Sequence, residues 1–348
     1  MKDIYISKEP LEIPIEDIYS DSSMEPDFNS NGDEPKKEKP NKKKHKHLKR
    51  ILRIIIAIIS ALTIFISVIA AISGYTRNNL ESNEYISNSE LNSNPFVTNI
   101  LLIGVDGSLD ESSRSDSMIL VSLDYLHGKI KLTSFLRDSW VYIPSKDSNH
   151  KLNSACSSGG AQLVVDTIEY NFKVDIDHYI MVDFDMFTEI IDALGGIDIE
   201  ITEKEADFIN RTTKHTVSSG ESVHLDGEKA LVYSRIRKLD TDYMRTYRQR
   251  KVITSIINKV KKTNIINLIK LANNVLPLLE TDLSPVEISL LAYKGGFAAL
   301  AFDIQQIRIP SEDLMYADYR GSQWVEILDM NGCIERLYEF IYTSYSEE

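Results

Sequence analysis

The feature that most constrains this chain is an uncharged, largely apolar run of 21 residues, Ile54–Gly74. At 1.5 Å per residue, a helix of this length covers the roughly 30 Å hydrocarbon core of a bilayer. Residues 36–50, shortly before the run, carry 9 Lys/Arg against 1 Asp/Glu. Because basic flanks stay on the cytoplasmic side of a membrane, we expect one transmembrane helix with the N-terminus in the cytoplasm and the bulk of the chain outside.

A cleaved signal peptide is the alternative, because Ala71-Ile72-Ser73 offers small residues for cleavage. The run is longer than a typical signal-peptide core and begins some 50 residues into the chain, which favours an uncleaved anchor. The expected organisation is a disordered cytoplasmic tail whose basic run contacts lipid headgroups (1–53), a transmembrane helix (54–74), a polar stalk (75–96) and one extracytoplasmic domain (97–348).

The charge balance excludes one class of partner. After residue 53 the chain has 27 Lys/Arg and 41 Asp/Glu, a net charge of −14. Nucleic-acid backbones select basic surfaces, so this domain is not expected to bind nucleic acid. A local group of arginines within an acidic domain indicates a pocket for an anion instead.

Three strands are predicted at the start of the domain. Asn99–Asp106 is an apolar run that ends in a carboxylate, and the segments Ser117–Leu123 and Lys129–Phe135 follow it. If they pair as a meander, the end of the first strand, the start of the second and the end of the third share one rim of the sheet. That rim collects two carboxylates and two guanidinium groups, those of Asp106, Asp116, Arg114 and Arg137.

The two carboxylates on this rim, Asp106 and Asp116, suit a hard cation. Mg²⁺ takes oxygen ligands and usually shares them with the phosphate of a substrate. The alternative for each aspartate alone is a loop cap or a surface charge. Their convergence with two arginines favours a Mg²⁺ site.

A second group of cations lies between Ser234 and Lys251, which contains five arginines: Arg235, Arg237, Arg245, Arg248 and Arg250. From Tyr243 onward the pattern is helical, with an apolar stripe at Val252, Ile256 and Val260. Arg245 and Gln249 project onto the same stripe, and an inward-facing cation is costly unless a carboxylate or a ligand phosphate accompanies it. A solvated basic face fits Arg250 and Lys251.

The remaining pattern alternates strands and helices and predicts an α/β fold, three α-β-α layers around a mixed central sheet. Asp198–Ile201 is expected to return to the sheet, and the polar segment Glu203–Ser222 is expected to be an exposed excursion. For Cys156 and Cys333 the sequence leaves open a disulfide or two buried free thiols.

Taken together, these motifs resemble those of the LytR-CpsA-Psr family over residues 97 to about 260. The motifs that carry the resemblance are Asn99-Ile-Leu-Leu-Ile-Gly-Val-Asp106, Arg114-Ser-Asp116, Ser134-Phe-Leu-Arg137-Asp138, Asp192-Ala-Leu-Gly-Gly-Ile-Asp198, Leu225-Asp-Gly and Tyr233-Ser-Arg235-Ile-Arg237, followed by Asp242, Arg245 and Gln249.

The resemblance implies a Mg²⁺-dependent phosphotransferase of the cell envelope. Such an enzyme takes a glycopolymer, such as teichoic acid or capsule, from a polyprenyl pyrophosphate carrier and joins it to peptidoglycan through a phosphodiester. The resemblance also implies that Asp106 and Asp116 hold Mg²⁺, and that the pyrophosphate is surrounded by Arg114, Arg137, Arg235, Arg237, Arg245 and Gln249. Asp242, one helical turn before Arg245, is the candidate general base, with a helix-capping role as the equal alternative.

Two other functions are compatible with the same residues. One is a non-catalytic binder of lipid phosphates that acts as an envelope scaffold or sensor, and it predicts lipid retention without turnover. The other is a polyprenyl pyrophosphohydrolase that uses water as the acceptor.

Overall fold

The computed structural model describes residues 76–107, 113–213, 215–237, 239, 242–263 and 265–343. The N-terminal tail, its basic run and the expected transmembrane segment Ile54–Gly74 lie outside these residues. Within the described ranges, none of the helices combines the length and the apolar character needed to cross a bilayer.

Thirteen strands are described: β1 (Thr76–Arg77), β2 (Val97–Val105), β3 (Ser115–Asp124), β4 (Lys129–Phe135), β5 (Trp140–Ile143), β6 (Ser148–Lys151), β7 (His178–Val182), β8 (Ile197–Ile201), β9 (Gly220–Leu225), β10 (Glu280–Thr281), β11 (Asp303–Ile309), β12 (Met315–Arg320) and β13 (Gln323–Leu328). The helices within the same residues are α1 (Cys156–Phe172), α2 (Phe184–Ala193), α3 (Glu203–Thr213), α4 (Gly227–Ser234), α5 (Asp242–Lys262), α6 (Ile265–Val275), α7 (Pro285–Ala301) and α8 (Met330–Tyr342).

The central sheet has seven strands in the order β1-β10-β7-β2-β3-β4-β11. Its middle is the expected meander, because β3 pairs antiparallel with both β2 and β4. β7 pairs parallel with β2, and β11 pairs parallel with β4. The sheet is therefore mixed, and the predicted α/β fold class is confirmed.

The strands of the meander are buried on both faces, which is why they are continuous apolar runs in the sequence. Met118 and Leu120 of β3 belong to one core, which also contains residues of α1 and α8. Ile119, between them, belongs to a second core with Ala298 of α7 and Phe302. Because side chains alternate along a strand, these two cores lie on opposite faces of the sheet, and each face has helices packed against it.

A third core, which includes Ile199 of β8 and Ile209 of α3, lies outside the central sheet. The elements that form it differ from two expectations. Residues 198–201 fall within β8, which does not rejoin the central sheet but pairs with β9 alone. The segment 203–222 is an exposed excursion only in part. Its first half is α3, whose Ile209 is fully buried and whose Ala206 is 4% exposed, whereas residues 215, 216 and 218–222 are exposed as expected. One short apolar face was enough to pack this helix, although its composition is mostly polar.

The segment expected to be a stalk packs against the domain from residue 76 onward. Thr76 and Arg77 of β1 pair with β10 at the edge of the central sheet. Asn83 donates to the carboxylate of Glu169 on α1 at 3.0 Å, and Ile86 is 7% exposed. These residues therefore contribute to the fold.

Two hairpins not anticipated from the sequence, β5–β6 and β12–β13, lie on the side of the sheet where β4 ends. They are joined by a bridge between Ser139 and Glu326 and by a backbone hydrogen bond from Glu326 N–H to the Asp138 carbonyl at 3.0 Å. Cys156 and Cys333 are both buried and unpaired, which settles the alternative in favour of free thiols.

The last helix is tied to β4 by a buried lysine. The Lys131 ammonium donates to Asp124 at 2.8 Å and to the backbone carbonyls of Ile341 and Thr343 at 2.9 and 3.1 Å. Lys131 is 1% exposed, so these three acceptors replace its hydration.

Candidate active site

The rim predicted from the meander is present. β2 and β3 remain paired to their ends, where Val105 faces Ser115, and the Asp106 backbone N–H donates to the Arg114 carbonyl at 3.3 Å. The paired strand ends therefore bring Asp106, Arg114 and Asp116 close together in space at the rim. β4 ends at Phe135 and brings Arg137 to the same place.

A cavity of about 570 Å³ opens at this rim. It is lined by Asp106, Gly107, Ser113, Arg114, Asp116, Arg137, Asp138, Lys151, Asn153 and Arg237. Five of the nine predicted site residues therefore line one cavity, although they come from three separate stretches of sequence.

Asp116 organises two of the guanidinium groups. One of its carboxylate oxygens accepts from Arg137 Nη1 at 2.7 Å, and the other accepts from Arg237 Nη2 at 3.0 Å. Burial alone would raise the pKa of Asp116, but the charges of Arg137 and Arg237 and the hydrogen bond from Arg137 outweigh it, so the pKa is held below the ordinary aspartate value. The group is therefore ionised at neutral pH and keeps both arginines in fixed positions.

Arg245 lies behind these residues and is the most unusual group of the site. Its residue is 2% exposed, and its Nη2 donates to Asp242 at 2.9 Å. Its Nε and Nη1 are buried and have no hydrogen-bond partner among the described residues. Burial lowers the pKa of Arg245 to about 10, and the charges of Arg137 and Arg237 act in the same direction. A buried cation with two free donors beside two like charges is the arrangement that an anion would complete.

Arg235 is placed differently from the other predicted arginines. Its guanidinium stacks on the Phe184 ring at 4.0 Å and lies 3.7 Å from an oxygen of Asp106. It lines a second cavity of about 240 Å³, together with Phe208, and this cavity shares Asp106 and Arg237 with the first. The two cavities therefore meet at that pair of residues.

The remaining predicted residues border the same region. Gln249 accepts from the Ser117 hydroxyl at 3.2 Å, which holds α5 against the start of β3. Arg114 is exposed at the rim, and Asp242 is the first residue of α5, with 35% of its side chain exposed.

One expectation about the arginine helix is wrong. Arg250 was assigned to a solvated face, but it is 3% exposed and donates to Ser134 Oγ at 2.7 Å and to Gln306 Oε1 at 3.1 Å. Both partners lie on strands of the central sheet, β4 and its edge neighbour β11, whose position relative to α5 could not be deduced from the sequence. Lys251 is 20% exposed at its side chain and donates to Glu200 at 3.1 Å.

Five residues of the cavity were not predicted: Gly107 and Ser113, which are next to Asp106 and Arg114 in the sequence, and Asp138, Lys151 and Asn153. Lys151 Nζ donates to Asp138 at 2.7 Å, and Asp138 also lies 3.3 Å from Arg137 Nε. These residues reach the rim through the β5–β6 hairpin, whose two strands of 4 residues give little signal in the sequence. The direct adjacency of Asp138 to Arg137 was the one available clue.

The donor set fits a metal shared with a ligand and does not fit an all-protein cage. Among the described ranges there is no group of three or more His, Cys, Asp or Glu side chains able to hold a metal ion. The two rim carboxylates differ, since Asp116 has both oxygens bonded to arginines whereas Asp106 is 52% exposed. Mg²⁺ commonly takes one or two carboxylates and completes its shell with water and phosphate, which matches this pair.

Comparison with known proteins agrees with the fold and the motifs. The model of the LytR_cpsA_psr family matches residues 63–331. The polyisoprenyl-teichoic acid–peptidoglycan teichoic acid transferase TagV of Bacillus subtilis (strain 168) is 32% identical over 248 residues, which cover 68% of this chain and 61% of that protein. The transferase of the same description named TagU, from Enterococcus faecalis (strain ATCC 700802 / V583), is 34% identical over 220 residues, which cover 61% of this chain and 70% of that protein.

A solved structure, that of the LytR-CPS2A-psr family protein YwtF (TagT) with bound octaprenyl pyrophosphate lipid, superposes with a TM-score of 0.59 at 22% identity. The match covers 76% of this chain and 99% of that chain, and it shows that the fold is shared. Because the family model spans most of the chain and includes the rim, α5 and the central sheet, the protein belongs to the LytR-CpsA-Psr family.

Proposed function

We propose that the protein transfers a glycopolymer from a polyprenyl pyrophosphate carrier to peptidoglycan and forms a phosphodiester. The observation that carries the proposal is the buried Arg245 guanidinium, which has two unpartnered nitrogens and feels the charges of Arg137 and Arg237, two arginines that line the cavity. The transferase names of TagV and TagU support the same reaction class.

The arginines do the work that phosphoryl transfer requires, which is positioning and neutralisation of charge. Asp116 fixes Arg137 and Arg237 before any ligand arrives, so their reorganisation is small. A pyrophosphate seated against them would supply acceptors for Arg245 Nε and Nη1. Bidentate contacts between guanidinium groups and phosphate are strong and directional, so they also orient the phosphorus toward the acceptor.

In the proposed reaction, an acceptor sugar hydroxyl attacks the phosphorus that bears the glycopolymer. The bond from that phosphorus to the bridging oxygen breaks, and polyprenyl phosphate leaves with that oxygen. The hydroxyl proton passes to a carboxylate, for which Asp242 remains the candidate, since part of its side chain is exposed at the start of α5. Its ion pair with Arg245 offers an equally direct role as the counter-charge of that arginine.

The proposal includes Mg²⁺ held by Asp106 and Asp116 together with the pyrophosphate. When bound there, the ion would neutralise negative charge that develops on the phosphate oxygens. The proposal also includes the membrane topology, with residues 54–74 as a single-pass anchor, the N-terminus cytoplasmic and the described domain outside, in contact with membrane lipids.

The test uses the full chain in detergent or vesicles with a polyprenyl-pyrophosphate-linked oligosaccharide, un-crosslinked peptidoglycan and Mg²⁺ or EDTA. Mass spectrometry should find a phosphodiester adduct that forms only with Mg²⁺. Adduct formation that is unchanged in EDTA would remove the metal from the proposal.

Asp106→Asn is the informative variant, because the Asp106 side chain is half-exposed and its one ion-pair contact within the described residues is a long one, with Arg235, so the fold should tolerate the change. We expect loss of the adduct with an unchanged circular dichroism spectrum. For the wild-type protein, free polyprenyl phosphate without an adduct would identify a hydrolase, and retained lipid without any product would identify a scaffold. Either result would overturn the proposed transferase.

A further inference from the structure

Helix α7, Pro285–Ala301, carries a stripe of large apolar side chains on its outer surface. The exposed stripe consists of Val286 (68% exposed), Leu290 (47%), Tyr293 (46%), Phe297 (55%) and Leu300 (70%). At 100° per residue the five positions fall within an arc of about 80°, and they extend over about 21 Å of helix. Scattered exposed apolar residues are normal on a protein, but a continuous apolar surface of this kind marks an interaction site.

The inner side of the same helix explains why the exposed stripe is not part of the core. Ile288 is 8% exposed and Ala298 is fully buried, and both belong to the cores that cover the central sheet. Only two charged residues, Glu287 and Lys294, lie on α7, and at 100° per residue both lie along the same edge of the stripe. The helix is therefore apolar on two opposite sides, and the fold uses one of them.

Helix α7 lies close to the end of the expected membrane anchor, so a lipid bilayer is the apolar environment nearest to the exposed stripe. The run Ile54–Gly74 ends two residues before β1, whose Thr76 N–H donates to the Leu279 carbonyl at 3.3 Å. β1 pairs in parallel with β10, and α7 begins four residues after β10 ends. Two residues can span at most about 7 Å, so the end of the run lies close to β1, which pairs with the strand that leads into α7.

We propose that the exposed stripe of α7 docks on the surface of a lipid bilayer and holds the domain against the membrane. The occupant is a lipid surface and not a second copy of the chain, because two domains that each carry a net charge of −14 repel each other. A zwitterionic bilayer carries no such charge, and tethering by residues 54–74 would keep it at high effective concentration. The inference builds on the proposed anchor and is independent of the transfer reaction.

The test places a fluorophore on the stripe of the full chain. The native thiols suit this design, since Cys156 is 3% exposed and Cys333 is fully buried, so an environment-sensitive NBD label will react with an introduced surface cysteine. Tyr293→Cys and Leu300→Cys report on the middle and on the far end of the stripe. Tyr316→Cys on β12 is the matched control, because Tyr316 is 61% exposed and lies outside the exposed stripe.

The labelled chains are reconstituted into phosphatidylcholine vesicles with and without lipid spin-labelled near the headgroup end of its acyl chain. We expect a blue-shifted emission and a loss of fluorescence with the spin-labelled lipid at positions 293 and 300, and neither effect at 316. A signal at 300 is needed because position 293 alone could report on a helix that is tilted away from the surface.

Three results would overturn the proposal. The first is an aqueous emission at 293 and 300 that matches the emission at 316. The second is shielding at 293 and 300 that is not quenched by spin-labelled lipid and is accompanied by cross-linking between copies, which would identify a second chain as the occupant. The third is a chain that fails to float with the vesicles.

Discussion

Replacing Arg245 by methionine should make the ligand-free protein more stable while it removes binding of the pyrophosphate. Arg245 is 2% exposed, with one hydrogen-bonded partner, Asp242. Its pKa falls from the ordinary 12.5 to about 10, and a difference of that size corresponds to about 3 kcal/mol of cost to the charged form in the folded state. The unfolded chain bears no such cost.

The methionine side chain fills a similar volume and has no charge to bury. The variant loses the bond to Asp242, whose carboxylate is 35% exposed and can be rehydrated, at a cost of about 1 kcal/mol. The expected net gain in the free energy of unfolding is therefore about 1–3 kcal/mol, because the partner that remains, Asp242, reaches water and is not left as a buried unpaired charge. Transfer should fall at least about 100-fold, as for the loss of one donor to a developing charge.

The assay is urea unfolding with and without inorganic pyrophosphate. The wild-type protein should gain about 2.7 kcal/mol at a ligand concentration 100 times its dissociation constant, and Arg245→Met should gain nothing. Arg250→Met is the matched control, because Arg250 is equally buried and its pKa is also lowered to about 10, but its bonds go to Ser134 and Gln306. The control should keep the full ligand-induced gain. A destabilised Arg245→Met with normal ligand-induced stabilisation would refute the reasoning.

Three further predictions concern charge and backbone geometry. Asp116→Asn should cost about 3 kcal/mol at pH 7, because it leaves two arginines without a counter-charge. Since the folded pKa of Asp116 is lowered, the difference from wild type should begin to shrink below about pH 4 and should disappear only at a pH below the lowered folded pKa, as measured by urea unfolding across pH. Burial raises the pKa of Glu169 to about 7, so the folded state binds its proton more tightly than the unfolded state does, and the free energy of unfolding should decrease as pH rises from about 4.5 to 7. Glu169→Gln should flatten this part of the plot of unfolding free energy against pH. An unchanged slope would contradict the assignment to Glu169. Gly196→Ala should lower the midpoint of thermal unfolding more than Gly195→Ala does. Both glycines have a positive φ, of 76° and 73°, but a Cβ at position 196 would lie 2.4 Å from His224, whereas the space at position 195 is open. Equal decreases would show that backbone strain alone decides the cost.

The rim of the site was predictable because each of its parts is local. The meander joins three apolar runs that follow one another in the sequence, through connections of 9 and 4 residues, so the rim where Asp106 lies beside Arg114 follows from neighbouring segments alone. Arg245 and Gln249 were predicted to point inward because they share a helical face with Val252, which is 1% exposed. These inferences required no knowledge of which elements meet across the domain.

The features that were missed depend on long-range contacts. Arg250 is buried because Ser134 and Gln306 reach it from β4 and β11, which lie far from α5 in sequence. The strand β8 has the alternating pattern of any half-buried strand, and the sequence could not show that its partner is β9 instead of the central sheet. The mostly polar composition of α3 led to a wrong expectation, because a few apolar residues are enough to bury one face of the helix.

The bond from Lys131 to the last helix bears on the order in which the chain can mature. β4 is synthesised before the middle of the chain, but its ammonium is satisfied only when the carbonyls of Ile341 and Thr343 arrive, some 210 residues later. Until then a cation in the middle of the sheet has one acceptor, Asp124, and has to keep its water. The strand that carries this lysine leads directly to Arg137, so the rim should become fully ordered only after residues 341 and 343 have been synthesised and have docked against β4.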